Sequence, residues 1–94
     1  MDVFWTNGAE RDREAIFEYL TKENPAAAVR MDQVFTDVVA TLADHPLLGR
    51  TGQISGTREL FPHESYRVVY ELTEQRVWVL ALLHTSRQWP NPER

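Results

Sequence analysis

Residues Arg76 to His84 set the first constraint on the fold. Both alternating sets of side chains in this stretch are apolar, with Val77, Val79, Ala81 and Leu83 in one and Trp78, Leu80 and Leu82 in the other. A strand with one wet face alternates apolar and polar residues, so this one reads as a central strand covered on both faces. A central strand needs neighbours, and the preceding residues supply them. Tyr66 to Leu72 is rich in β-branched and aromatic side chains, and Thr57 to Phe61 reads as a further strand. Pro62-His63-Glu64-Ser65 and Thr73-Glu74-Gln75 are the turns between the three, and strands at hairpin spacing form an antiparallel meander. A fourth short run, Val3-Phe4-Trp5-Thr6, stops at Asn7-Gly8, a turn signal that could also cap a helix.

Between the first strand and the meander the period changes from two to nearly four. Ala9, Ile16, Phe17 and Leu20 recur on one side of an otherwise charged segment, which predicts a helix from Ala9 to Lys22. Asn24-Pro25 then opens a second helix, because asparagine caps exposed amides and proline suits the first helical position. That helix is expected to run to about Asp44, burying Ala27, Met31, Val34 or Phe35, Val38 and Leu42. With only Glu23 and Asn24 between them, the two helices must form an antiparallel hairpin. His45-Pro46 ends the second, and the stretch through Gly49, Gly52 and Gly56 reads as loop. The predicted class is α+β in the order β-α-α-β-β-β, with the helical hairpin on one face of a small, mainly antiparallel sheet. Residues 1–94 form one domain, ending in an extended tail from Thr85 to Arg94. Trp5 and Trp78 read as core anchors, and Tyr66 and Tyr70 as core or rim residues of one strand face.

Composition narrows the function classes. A chain of 94 residues buries a modest core and is helped by a stabilising partner. Cysteine is absent, which removes disulfides and thiolate chemistry, and His45, His63 and His84 are too scattered to form a metal site. The longest apolar run, Val77 to Leu83, is far short of the roughly 20 residues that span a membrane, so a cytoplasmic protein is expected. Net charge is −4, unlike a domain that holds nucleic acid by bulk electrostatics. The charge is uneven. Residues 1–47 sum to −5 and residues 48–94 to +1, and every base in the second half is arginine, a fork suited to phosphate or carboxylate.

Four fragments in order carry a family likeness: Leu42-x-x-x-Pro46-x-x-Gly49-Arg50-x-Gly52, Gly56-Thr57-Arg58-Glu59-Leu60, Tyr66-Arg67-Val68-Val69-Tyr70 and Leu83-His84-x-x-Arg87-x-Trp89-Pro90. Together with Trp5 and the Asn24-Pro25-Ala26-Ala27 helix start, they resemble the RelE/ParE toxin superfamily over nearly the whole chain. The resemblance implies a bacterial type II toxin that arrests growth and is neutralised by a cognate antitoxin, reaching operator DNA only through that antitoxin and using no cofactor. RelE-like members cleave mRNA on the ribosome, whereas ParE-like members inhibit DNA gyrase without catalysis. The shared scaffold does not choose between them.

The candidate chemistry follows from what RNA cleavage requires: a base for the 2′-hydroxyl, cations for the phosphate and an acid for the leaving oxygen. Arg67 and Arg87 match the two arginines of RelE-like enzymes, and on neighbouring strands they could clamp one phosphate. Arg67 could equally pair with Glu59 or Glu71. Glu59 or His84 could move the proton, although each also fits a structural role in ParE-like sequences. Arg58 and Trp89 complete the RNA-binding set, with Trp89 stacking on a base or packing over the sheet edge with Pro90. The lysines of RelE are missing from the strand that carries Glu59. The leading expectation is a ribosome-dependent mRNA endonuclease, with a gyrase inhibitor or an inactive antitoxin-binding member as the alternatives.

Overall fold

The computed structural model describes residues 1–90. The chain runs β1 (Asp2–Trp5), α1 (Asn7–Glu23), α2 (Pro25–Ala40), a 3-10 turn (Thr41–Ala43), β2 (Arg50–Thr51), β3 (Thr57–His63), β4 (Tyr66–Thr73) and β5 (Arg76–His84). The sheet order is β1-β5-β4-β3-β2. β1 lies parallel to β5, and the other pairings are antiparallel. Both helices cover one face, giving the expected α+β architecture.

Local chemistry explains the helix ends. Thr6, one residue before the Asn7-Gly8 signal, caps α1 by accepting from the Ala9 amide. Asn24 caps α2 through the Ala27 amide, and Pro25 follows where no amide hydrogen is needed. The α-helix ends at Ala40 rather than near Asp44, because the backbone tightens into the 3-10 turn before His45-Pro46. Arg13 ties the hairpin by forking onto Asp32 at 2.7 and 2.9 Å, and its guanidinium also covers the Trp5 ring at 5.0 Å.

The core joins Ala9, Phe35, Val39, Tyr66, Val68, Val79 and Leu82 in one cluster and Leu42, Tyr70 and Val77 in a second. The buried stripe is therefore Ala28, Phe35 and Val39 on α2, continued by Leu42 in the 3-10 turn, one residue round from the Ala27 and Val38 expected at two positions. β5 is central, as its composition demands, but helices cover only one of its faces. The ladder between β4 and β5 steps from Val69↔Ala81 to Tyr70↔Val79, so Leu80 is passed over. This bulge breaks the strict alternation and turns Val77, Val79 and Leu82 together toward the helices. Trp78 lies on the other face, half-buried and stacked on Phe4 at 5.0 Å, outside both core clusters.

The glycine-rich loop holds a further departure. Arg50 and Thr51 pair with Glu59 and Arg58, adding a short edge strand where loop was expected. Gly49 makes this possible: a Cβ there would lie 2.8 Å from the Glu59 carbonyl oxygen and from the Tyr70 ring, so any larger residue would push the segment off β3.

Candidate functional site

The six sequence-derived residues fall in three places around the end of the sheet. On the face without helices, Glu59 pairs across the ladder with Val69 and Arg67 sits two residues before Val69, which makes them diagonal neighbours. Arg67 Nη1 donates to Glu59 Oε1 at 2.7 Å, and the two side chains are 12% and 8% exposed. Arg67 Nη2 donates to the backbone carbonyl of Arg87. The remaining donor, Nε, is buried with no hydrogen-bond partner among the described residues. The base candidate and the first cation candidate are thus bonded to each other. Arg67 meets Arg87 through a carbonyl oxygen, a contact that fixes the segment after β5 instead of pooling two guanidinium charges.

His84, Arg87 and Trp89 meet in a groove of about 510 Å³ between α1 and the segment after β5, shared with Asp12, Tyr19 and Tyr66. The His84 ring stands edge-on to Tyr66 at 5.8 Å. Its Nδ1 accepts from the Ser86 amide at 3.1 Å and lies 2.7 Å from Ser86 Oγ. An amide can only donate, so the neutral ring carries its proton on Nε2. Burial pushes the Tyr66 phenol above its ordinary value, with a smaller contribution from Tyr19. Asp12 crosses from α1 to accept the Leu82 amide at 3.1 Å. That bond satisfies β5 beyond Trp5↔Val79, where its pairing with β1 ends.

Arg58 stands apart from both. Its Nη1 donates to the carbonyls of Gly49 at 2.7 Å and Leu47 at 3.4 Å. Beside it the Tyr70 hydroxyl donates to the Pro46 carbonyl and accepts from the Gly49 amide, each at 2.8 Å. Burial raises the Tyr70 phenol against the opposing Gly49 bond and the Arg58 charge, which keeps it a hydrogen-bond donor.

A model of the ParE toxin of the type II toxin-antitoxin system parDE matches residues 3–89. The chain belongs to this family. It is therefore the toxin of a type II toxin-antitoxin system, with a cognate antitoxin as its partner. This ParE-family toxin is 36% identical over 89 residues to "Putative toxin Y4kP" of Sinorhizobium fredii, covering 94% of its own length and 92% of the relative's. Its fold is similar to that of the chromosomal ParDE system from P. aeruginosa, with a TM-score of 0.80 at 20% identity over 89% of this chain and 95% of that one. The YoeB/ParE toxin from Agrobacterium tumefaciens gives 0.65 at 21%, over 89% and 98%. The YoeB dimer from Staphylococcus aureus gives 0.59 at 11%, over 86% and 92%.

Sequence reasoning about the toxin missed Asp12 and Tyr19 in the groove and gave Tyr70 no role beyond packing. Asp12 and Tyr19 lie at helical spacing from Ala9 and Ile16, on the flank of the apolar stripe of α1, where a polar residue reads as the start of the solvent side. Tyr70 did carry a signal, since it shares a motif string with Arg67 and meets the Pro46-x-x-Gly49 string in space. Among the described residues, no helix of the toxin is long and apolar enough to cross a membrane.

Proposed function

We propose that the toxin stops growth by binding DNA gyrase in the cytoplasm and blocking it, with no bond-breaking chemistry of its own. One observation carries this reading: Arg67 and Glu59 are buried against each other at 2.7 Å. A general base needs an open route to the proton it takes, and a phosphate clamp needs donors aimed at the phosphate. Here the carboxylate is occupied, and two of the arginine's donor groups serve the protein's own oxygens. The net charge of −4 and the absence of lysine from β3 point the same way, since ribosomal RNA and mRNA are polyanions.

The mRNA-endonuclease reading keeps one specific support, the groove that gathers His84, Arg87 and Trp89. A single pair of assays with the purified chain separates the two. Loss of gyrase supercoiling activity together with intact mRNA on translating ribosomes is the expected result. Codon-positioned mRNA cuts that vanish in His84→Ala, with gyrase unaffected, would replace the proposal by the nuclease.

A further inference from the structure

The loop from Pro46 to Arg50 is built from below and apolar above. Beneath it, the fully buried Tyr70 bonds both Pro46 and Gly49, Arg58 donates to Leu47 and Gly49, and the close approach at Gly49 leaves no room for a side chain. Held outward by these contacts are Leu47 and Leu48, with 65% and 57% of their surface in water. Arg50, two residues on from Leu48, links the loop to Phe61, which is 43% exposed and has the guanidinium 4.7 Å from its ring centroid. A single exposed leucine is ordinary, but two in succession on a preorganised loop beside an exposed phenylalanine form a patch. Burying them would have enlarged a small core, so folding by itself gives no reason for the arrangement.

The charge beside the patch indicates what covers it. Among the described residues the two ion pairs are Arg13 with Asp32 and Arg67 with Glu59, so neither Arg50 nor Arg58 is compensated by a carboxylate. Two positive charges flank an apolar patch on a chain of net charge −4. The two leucines offer no face on which a nucleotide base can stack, and the Arg50 guanidinium already covers a face of the Phe61 ring, so the surface suits a protein better than a nucleic acid. We propose that Leu47, Leu48, Phe61 and Arg50 form the docking surface for the toxin's target, a protein presenting an apolar recess rimmed by carboxylates. The proposal rests on the reading that the toxin acts by binding a protein.

The test is the double variant Leu47→Ser/Leu48→Ser, expressed as the full chain and compared with the wild type for growth inhibition, melting temperature and affinity for the cognate antitoxin. Expected is a loss of growth inhibition of about tenfold or more, as for central apolar anchors of an interface, with antitoxin affinity unchanged. Arg50→Glu should lose a similar amount, and Arg50→Lys much less. Full toxicity of the double variant overturns the proposal. So does a parallel loss of antitoxin affinity, which would place the antitoxin on this patch. Toxicity lost in Arg50→Glu but kept in the leucine variant would point to a nucleic acid and also overturn it, as would unfolding of the leucine variant or a wild-type chain that leaves growth unimpaired. The gyrase reading fails separately: a toxic wild type that leaves supercoiling intact, paired with a harmless leucine variant, ends that reading and keeps the surface for another protein.

Discussion

Arg67 illustrates how little a residue's type says about its work. Its guanidinium is mostly withdrawn from water, and removing a charge from water is costly unless a partner compensates it, which Glu59 does. The same two side chains in an open cleft would have read as a base and a phosphate clamp. Arg13 and Asp32 form the other ion pair among the described residues, at the helix hairpin and in a wetter setting. Hydrogen bonds from Arg13 hold the Asp32 carboxyl below its ordinary value of 3.8, against partial burial that opposes them. A carboxylate depressed in the folded state stabilises the fold above its unfolded pKa, and that contribution is lost as pH falls through the folded value. The expected outcome is a Tm for Asp32→Asn that falls less than the wild type's between roughly pH 6 and pH 3, measured by circular dichroism. Equal falls in the two proteins would show that the pair contributes nothing measurable.

Elements were legible in kind and less so in phase. The strands and helices announce themselves by period, but the face each presents depends on details that period does not hold. On α2 the apolar positions come in runs, Ala26-Ala27-Ala28, Val34-Phe35 and Val38-Val39, so one helical stripe can be centred on either member. Packing against β4 and β5 chose Phe35 and Val39, and Ala28, seven residues before Phe35, is buried on the same stripe. Phe35 is the anchor, 1% exposed and edge-on to Tyr66 at 5.4 Å. Truncating it leaves a cavity between helix and sheet, so Phe35→Ala should cost about 3 to 5 kcal/mol in urea denaturation. A loss near 1 kcal/mol would mean that α2 can collapse into the gap and that the stripe is less well fixed than described. On β5 the bulge at Leu80 did what no alternation rule anticipates, moving Leu82 to the face of Val77 and Val79. Both positions are apolar, and the sequence therefore gave no warning of the shift.

At the scale of the whole molecule, a chain of 94 residues packs its helices on one face of its sheet and, among the described residues, leaves the opposite face without a second layer. Domains of this size are marginally stable, so a partner that binds only the folded form adds directly to stability. Saturating the toxin with its antitoxin at 100 times the dissociation constant should add about 2.7 kcal/mol, raising Tm by roughly 10 °C or more in a calorimetric scan. A Tm independent of antitoxin concentration would contradict a partner that recognises the native fold. The sequence by itself determined the class, the helical hairpin and the three-stranded meander, because caps, turns and hydrophobic periods act between residues a few positions apart. Only the tertiary structure decided that Arg67 faces Glu59, that His84, Arg87 and Trp89 share a groove with Asp12 and Tyr19, and that a clamped loop holds two leucines in water. Those outcomes depend on strand register and on where a helix rests across a sheet, which are settled by packing among residues distant in the chain.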